Sequence, residues 1–151
     1  LYQLLDMPKG NFALAIRRKD LERLHEEANR AWPIEACALL IGHLKDNLGE
    51  VLEVRVTKNI EGSFVTFRID PAVLAEVYVK AEVEGKEVIG IFHSHPAPPL
   101  PSGTDVEYMK VNPIPWLIMS MPSGSVRAFR WVDEAILEVE LRIVEGQKAS
   151  P

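Results

Sequence analysis

The spacing of apolar residues switches between two periods along this chain. Residues 11–17 (NFALAIR) alternate apolar and small side chains, as a strand does. Leu21, Leu24, Ala28 and Ala31 then recur at helical spacing behind Asp20, a predicted N-cap, and Pro33 ends that helix. Residues 36–41 (ACALLI) form a short apolar run closed by Gly42, the mark of a buried strand. After a predicted turn at 45–49, residues 51–57 (VLEVRVT) alternate again, with Leu52, Val54 and Val56 expected on one face. Asp70-Pro71 is a helix start, and Val73, Leu74, Val77 and Ala81 are its predicted apolar face before Gly85 stops it.

The second half continues the pattern. A strand is predicted over 87–93, a stiff proline-rich loop over 95–103, and a short helix over 104–111. Strands at 115–121 and 125–131 flank a turn, and Leu137, Val139, Leu141 and Ile143 alternate with charged residues in a last, half-exposed strand. The order β-α-β-β-α-β-α-β-β-β predicts an α/β or α+β domain, a mixed β-sheet with helices packed on it. Residues 1–10 read as an N-terminal extension, with Met7 a candidate native start, and 145–151 as a disordered polar tail. The domain proper is expected over 11–144.

Composition narrows the field. At 151 residues the chain is too short for a (β/α)₈ barrel of about 250 but long enough to build its own core. Seventeen basic against 22 acidic residues give a net charge of −5, and no basic run exists, so nucleic acid and membrane surfaces are not the expected partners. Cys37 is the single cysteine, which excludes a disulfide framework and a thiolate zinc cluster within the chain. No apolar stretch nears the ~18 residues of a membrane-spanning helix. With no signal-like segment either, the expected compartment is the cytoplasm.

Chemistry concentrates in FHSHPAPPLPSGTD, residues 92–105. His93 and His95 stand two apart on an extended chain, so both imidazoles face one side and can reach one metal ion. Pro96 forces the chain out of the ladder, and Asp105 is placed in the first turn of the next helix. Two imidazoles and a carboxylate suit Zn²⁺, and three protein ligands leave a fourth position for water, as in catalytic sites. Glu35, at the mouth of the buried 36–41 strand, is the candidate proton shuttle. Ser102 could hydrogen-bond the bound water or a developing oxyanion.

Plainer readings compete. Ser102 and Asp105 also form a capping-box pattern, Ser-x-x-acid. Cys37 reads as a small buried hydrophobe, Ser94 should point away from its flanking histidines, and His25 and His43 carry no assigned role. Residues 61–68 and 112–115 are candidate substrate loops, with Phe64 and Phe67 either apolar anchors or core. A flexible substrate tail would fit by strand addition along an exposed edge.

These residues resemble the JAMM, or MPN+, metalloprotease family. Its pattern is a glutamate on an early strand followed by His-x-His-x₇-Ser-x₂-Asp. The glutamate is matched by Glu35 in PIEACALLIG, and the remainder by HSHPAPPLPSGTD, with six residues rather than seven between His95 and Ser102. The likeness runs from about residue 11 to 144. It implies a cytidine-deaminase-like three-layer fold. His93, His95 and Asp105 would be zinc ligands, Glu35 the general acid/base, and Ser102 the stabiliser of the tetrahedral intermediate. The implied activity is hydrolysis of isopeptide or peptide bonds joining a ubiquitin-like protein to its target. Two alternatives stand beside it: a related hydrolase releasing a small group from a modified protein C-terminus, and a non-catalytic scaffold. A zinc deaminase would need His-x-Glu with Pro-Cys-x-x-Cys, which one cysteine cannot supply.

Overall fold

Strand β1 (Ala13–Arg17) runs without a loop into helix α1 (Arg18–Ala31) in the computed structural model, which describes residues 7–63 and 65–145. The expected N-cap at Asp20 is displaced for this reason. Arg17 occupies the cap position, and Asp20 lies inside the first turn, 2.7 Å from the Arg17 guanidinium. An acid in that turn still favours the helix, because it faces the positive end of the dipole. The parts of the predicted extension and tail at 1–6 and 146–151 lie outside the described residues.

The next strands form a hairpin. β2 (Cys37–Lys45) runs past Gly42, and β3 (Leu48–Thr57) returns after two residues, Asp46 and Asn47. Asp46 takes a positive φ of 54°, a conformation that aspartate tolerates and tight hairpin turns require. Helix α2 (Pro71–Val83) starts as the sequence predicts: the Asp70 carboxylate accepts from Ala72 N–H, and Pro71 supplies the pre-set first position. Strand β4 (Glu87–His95) carries both histidines, helix α3 (Gly103–Val111) follows the proline loop, and β5 (Trp116–Ser120), β6 (Val126–Val132) and β7 (Ala135–Val144) complete the chain.

The strands make a mixed sheet in the order β1-β3-β2-β4-β5-β6-β7. It closes on itself, because β1 pairs in parallel with β3 on one side and β7 on the other. The mixed sheet with packed helices expected from the element order is found, but closed into a barrel. Linear order shows which strands exist, not that the first and last meet. Closure leaves no terminal edge strand among the described residues; the flank without a partner strand is the stretch of β3 past its pairing with β1 at Leu48, Gly49 and Glu50. The outer flank of β3 beyond the short β1 is occupied by arginines: Arg17 donates to Leu52 O, and Arg23 to Val54 O at 3.3 Å.

Each sheet face has its own core. Leu24 and Ala28 of α1 pack with Leu14, Ile16, Leu40 and Phe92 on one face. Val77 and Ala81 of α2 and Met109 of α3 pack with Leu39, Ile91, Trp116 and Ile118 on the other. Two bulges set which residue faces where. Ile41 pairs with Glu53 but Gly42 with Val51, so Leu52 is skipped and Val51 joins Val54 in the core. That overturns the expected Leu52-Val54-Val56 face, because one extra residue reverses the alternation. In the same way Leu40 pairs with Gly90 but Ile41 with Val88. Skipping Ile89 places Ile91 and His93 on the α2/α3 face and Phe92 on the α1 face. None of the described helices is long and apolar enough to cross a membrane.

Gly42 is indispensable to the first bulge. A Cβ there would lie 1.8 Å from Glu50 O, a backbone atom that cannot move aside alone. Gly42→Ala should therefore destabilise the protein by about 1–3 kcal/mol, the usual cost of overpacking, read as a lower denaturation midpoint at unchanged slope.

Candidate metal centre

His93 and His95 end β4 on the α2/α3 face, and the next two residues that matter come from the start of α3. Its N-cap, Ser102, and its third residue, Asp105, make both halves of a capping box. Asp105 N–H donates to Ser102 Oγ at 3.1 Å, and Ser102 N–H to Asp105 Oδ2 at 2.8 Å. The same Oδ2 lies 3.2 Å from His93 Nε2 and 3.6 Å from His95 Nε2. The capping and cluster readings of Ser102-x-x-Asp105 are therefore not exclusive; one turn of helix serves both.

One ligand atom from each of His93, His95 and Asp105 falls within 4.8 Å of the other two, and all three residues are buried. The surroundings hold the rings in place. Phe67 stacks on the His93 ring at 4.5 Å, and Trp116 meets it edge-on at 5.8 Å. His95 Nδ1 lies 3.3 Å from Pro98 O, and a carbonyl only accepts, so the proton sits on Nδ1 and Nε2 presents its lone pair to the cluster. Thus the proline loop orients the second histidine.

Glu35 sits just before β2 and is 2% exposed. Its Oε1 comes within 3.9 Å of His93 Nε2, yet neither carboxylate oxygen has a hydrogen-bond partner, and His93 Nδ1 lacks one too. Burial, assisted by the nearby Asp105 charge, pushes the Glu35 carboxyl up to about 8. Burial acts on Asp105 in the same direction, but the hydrogen bond and charge of His93, the Ser102 N–H and the His95 charge outweigh it and leave its pKa below the ordinary value. Burial holds the His93 imidazole below its usual range against the opposing pull of Asp105. A neutral His93 imidazole beside an ionised Asp105 carboxylate is a protonation state suited to metal binding. The nitrogen-nitrogen-oxygen donor set and the unpartnered buried polar atoms fit a divalent metal ion with an open position.

Other sequence-predicted residues fall into place around this cluster. Ser94 does turn away from the histidines: its Oγ accepts from Ala36 N–H at 2.8 Å on the opposite face. Cys37 is buried beside Thr57, and burial raises its thiol to about 11, so it behaves as a small apolar side chain. Phe67 belongs to the core against His93, which removes it as a substrate anchor; Phe64 lies outside the described residues. His43 is exposed, and half-buried His25 lies against Gly124. Sequence reasoning missed Asn59, whose side chain is buried and grips the loop beside Glu35. In the sequence it shows only as an asparagine before a turn.

A closed mixed sheet with this cluster at one strand end defines a JAB/MPN-type domain. The family model for prokaryotic homologs of the JAB domain matches residues 17–132, and the chain belongs to that family, as the JAMM/MPN+ resemblance implied. The chain is 47% identical over 88 residues to a desampylase of Pyrococcus furiosus, a match spanning 58% of this chain and 60% of that protein. It is 27% identical over 141 residues to a desampylase of Haloferax volcanii, across 91% of this chain and 99% of that one. A solved protein from Desulfitobacterium hafniense superposes with a TM-score of 0.78 at 28% identity, covering 88% of this chain and 94% of that one. A JAB1/MPN domain protein from Archaeoglobus fulgidus has a TM-score of 0.55 at 24% identity, over 90% and 99% of the two chains, and shows the fold alone.

Glu35 yields a pH signature. Its folded pKa of about 8 lies above the ordinary 4.5, so folding favours the protonated form. That contribution is complete below about pH 4.5 and lost as pH rises through about 8. In metal-free protein, the stability of Glu35→Gln relative to the parent should therefore grow from pH 5 to pH 8 in denaturant titrations; a constant difference would contradict the shift.

Proposed function

We propose that this chain is a zinc-dependent hydrolase of the isopeptide or peptide bonds that join a ubiquitin-like protein to its target. The observation that carries the reading is Glu35: a buried, unpartnered carboxylate beside a His-His-Asp cluster, with a pKa near neutrality. A structural glutamate would be hydrogen-bonded or solvated. Membership of the JAB family and two relatives named as desampylases support the same reading.

His93, His95 and Asp105 would hold the zinc. The chemistry supplied by zinc held there would be Lewis-acid polarisation of a carbonyl and a lowered pKa of water. Glu35 takes the proton of the attacking water and returns it to the departing amine, a task suited to a carboxyl titrating near the working pH. Ser102 Oγ accepts from Asp105 N–H, which leaves the hydroxyl proton free to donate to the oxyanion. Residues 11–144 form the catalytic domain in this reading. With α1 on one face and α2 and α3 on the other, the barrel is the three-layer, cytidine-deaminase-like arrangement drawn shut by β1 and β7. In the loop over 61–68, Val65, 58% exposed, replaces Phe67 as the apolar contact offered to substrate. The net charge of −5 gives nucleic acid no electrostatic footprint, and the unpaired Cys37 suits a reducing cytoplasm.

Incubating the zinc-loaded protein with a panel of ubiquitin-like conjugates and linear fusions tests the reading. Cleavage should stop on chelation, and cleavage that survives it would refute zinc dependence. His95→Ala and Asp105→Ala should lower the zinc stoichiometry measured by elemental analysis. Glu35→Gln should keep its zinc and lose about 10²–10⁴-fold in turnover, the range expected for general acid–base catalysis.

A further inference from the structure

We propose that Asn59 is a positioning residue for Glu35: its side-chain amide, through the loop it organises, fixes the backbone from which the unpartnered Glu35 carboxylate is aimed at the His-His-Asp cluster. The inference rests on the role given to Glu35 above.

The carboxylate oxygens of Glu35 make no hydrogen bond, so the side chain is aimed only by packing and by its own backbone. That backbone precedes β2 and is outside the strand ladder. Its two polar groups are held by one short segment instead. Asn59 Nδ2 donates to Glu35 O at 3.1 Å, and Glu35 N–H donates to Ser63 O at 2.9 Å. Asn59 also holds that segment in shape. Its Nδ2 reaches Thr66 O at 3.0 Å and Ser63 O at 3.4 Å, while its Oδ1 accepts from Glu61 N–H at 3.0 Å and Arg68 N–H at 3.1 Å. The amide therefore closes the 59–68 loop on itself and fastens the closed loop to Glu35. The loop's far end carries Phe67, which stacks on His93. One buried side chain thus sets the distance between the proton carrier and the ring it faces.

Burial makes the arrangement stiff. Asn59 is 8% exposed, and its five partners satisfy both halves of the amide. On the other side of Glu35, Ala36 N–H donates to Ser94 Oγ, between the two histidines, so the residue after Glu35 is registered to β4. Glu35 is clamped between the Asn59 loop and the histidine strand. A displacement of about 1 Å at a reacting group can cost on the order of 10²-fold in rate, so these hydrogen bonds bear on turnover without touching substrate.

Asn59→Asp separates the two halves of the amide. The acceptor oxygen survives for Glu61 and Arg68, but the carbonyls of Glu35, Ser63 and Thr66 lose their donor. Asn59→Ala removes both halves without adding charge. In zinc-loaded protein both variants should keep the zinc stoichiometry and lose about 10–100-fold in kcat, with KM changed by less than about threefold. In a Glu35→Gln background the same substitutions should cost less than about twofold, because no proton carrier remains to be misplaced. Equal losses in both backgrounds, or kcat within about twofold of the parent in both variants, would overturn the proposal. Amide hydrogen exchange provides a readout free of activity. The Glu35, Glu61, Thr66 and Arg68 amides should exchange about tenfold faster in Asn59→Asp, while Leu39 and Ile91 stay protected. Unchanged exchange at Glu35 would overturn the positioning role even if turnover fell, and loss of cooperative melting in both variants would make Asn59 a folding residue instead. A parent protein that cleaves no conjugate would sink the functional reading and leave the exchange result standing.

Discussion

The Asp105 Oδ2 atom is shared by the Ser102 N–H, His93 and His95, and this one oxygen joins helix α3 to strand β4. A buried carboxylate without partners would cost several kcal/mol, so the chain must deliver donors to it. A capping box delivers the first from within the helix and contributes about 1 kcal/mol to its start. The histidine strand delivers the second, from His93 at 3.2 Å. The proline loop between them has little freedom to lose on folding, and its Pro98 carbonyl sets the His95 tautomer. Cap, loop and strand end thus brace one another around a single acceptor.

Glu35 is the counterpart of Asp105. Both carboxyls are buried in one cluster, but their surroundings push them in opposite directions. Asp105 accepts hydrogen bonds from Ser102 N–H and His93, and its pKa stays below the ordinary value. Glu35 has no donor and faces Asp105, and its pKa rises. Two carboxyls driven apart in this way suit the different parts proposed for them, Asp105 as a charged ligand and Glu35 as a proton carrier. Around them the barrel acts as a mount. Ser94 and Asn59 hold the Glu35 segment from two sides, and Phe67 and Trp116 hold His93.

Much of this was legible in the chain. The Asp70-Pro71 start of α2, the alternation of β1, and the same-face placement of His93 and His95 all follow from local chemistry. The Ser102-x-x-Asp105 spacing predicts a cap, and the cap formed. Other features escaped because they depend on residues distant in sequence. The burial of Val51 follows from a bulge forced where Gly42 lies against Glu50 O. The loss of Phe67 as a substrate anchor follows from its stacking on a ring 26 positions away (93 − 67).

Residue types, periodicity and short spacings determined, by themselves, the elements, their order and the five residues that could do chemistry. Each is read from its own local stretch of sequence. Three things were left to the tertiary structure: the closure of the sheet by β1 and β7, the approach of Glu35 to His93, and the capture of the Glu35 backbone by Asn59. Each joins segments whose meeting depends on strand twist, register and the packing of both sheet faces at once. Local pattern carries no record of that meeting, and so the pattern could name Glu35 but could not show what aims it.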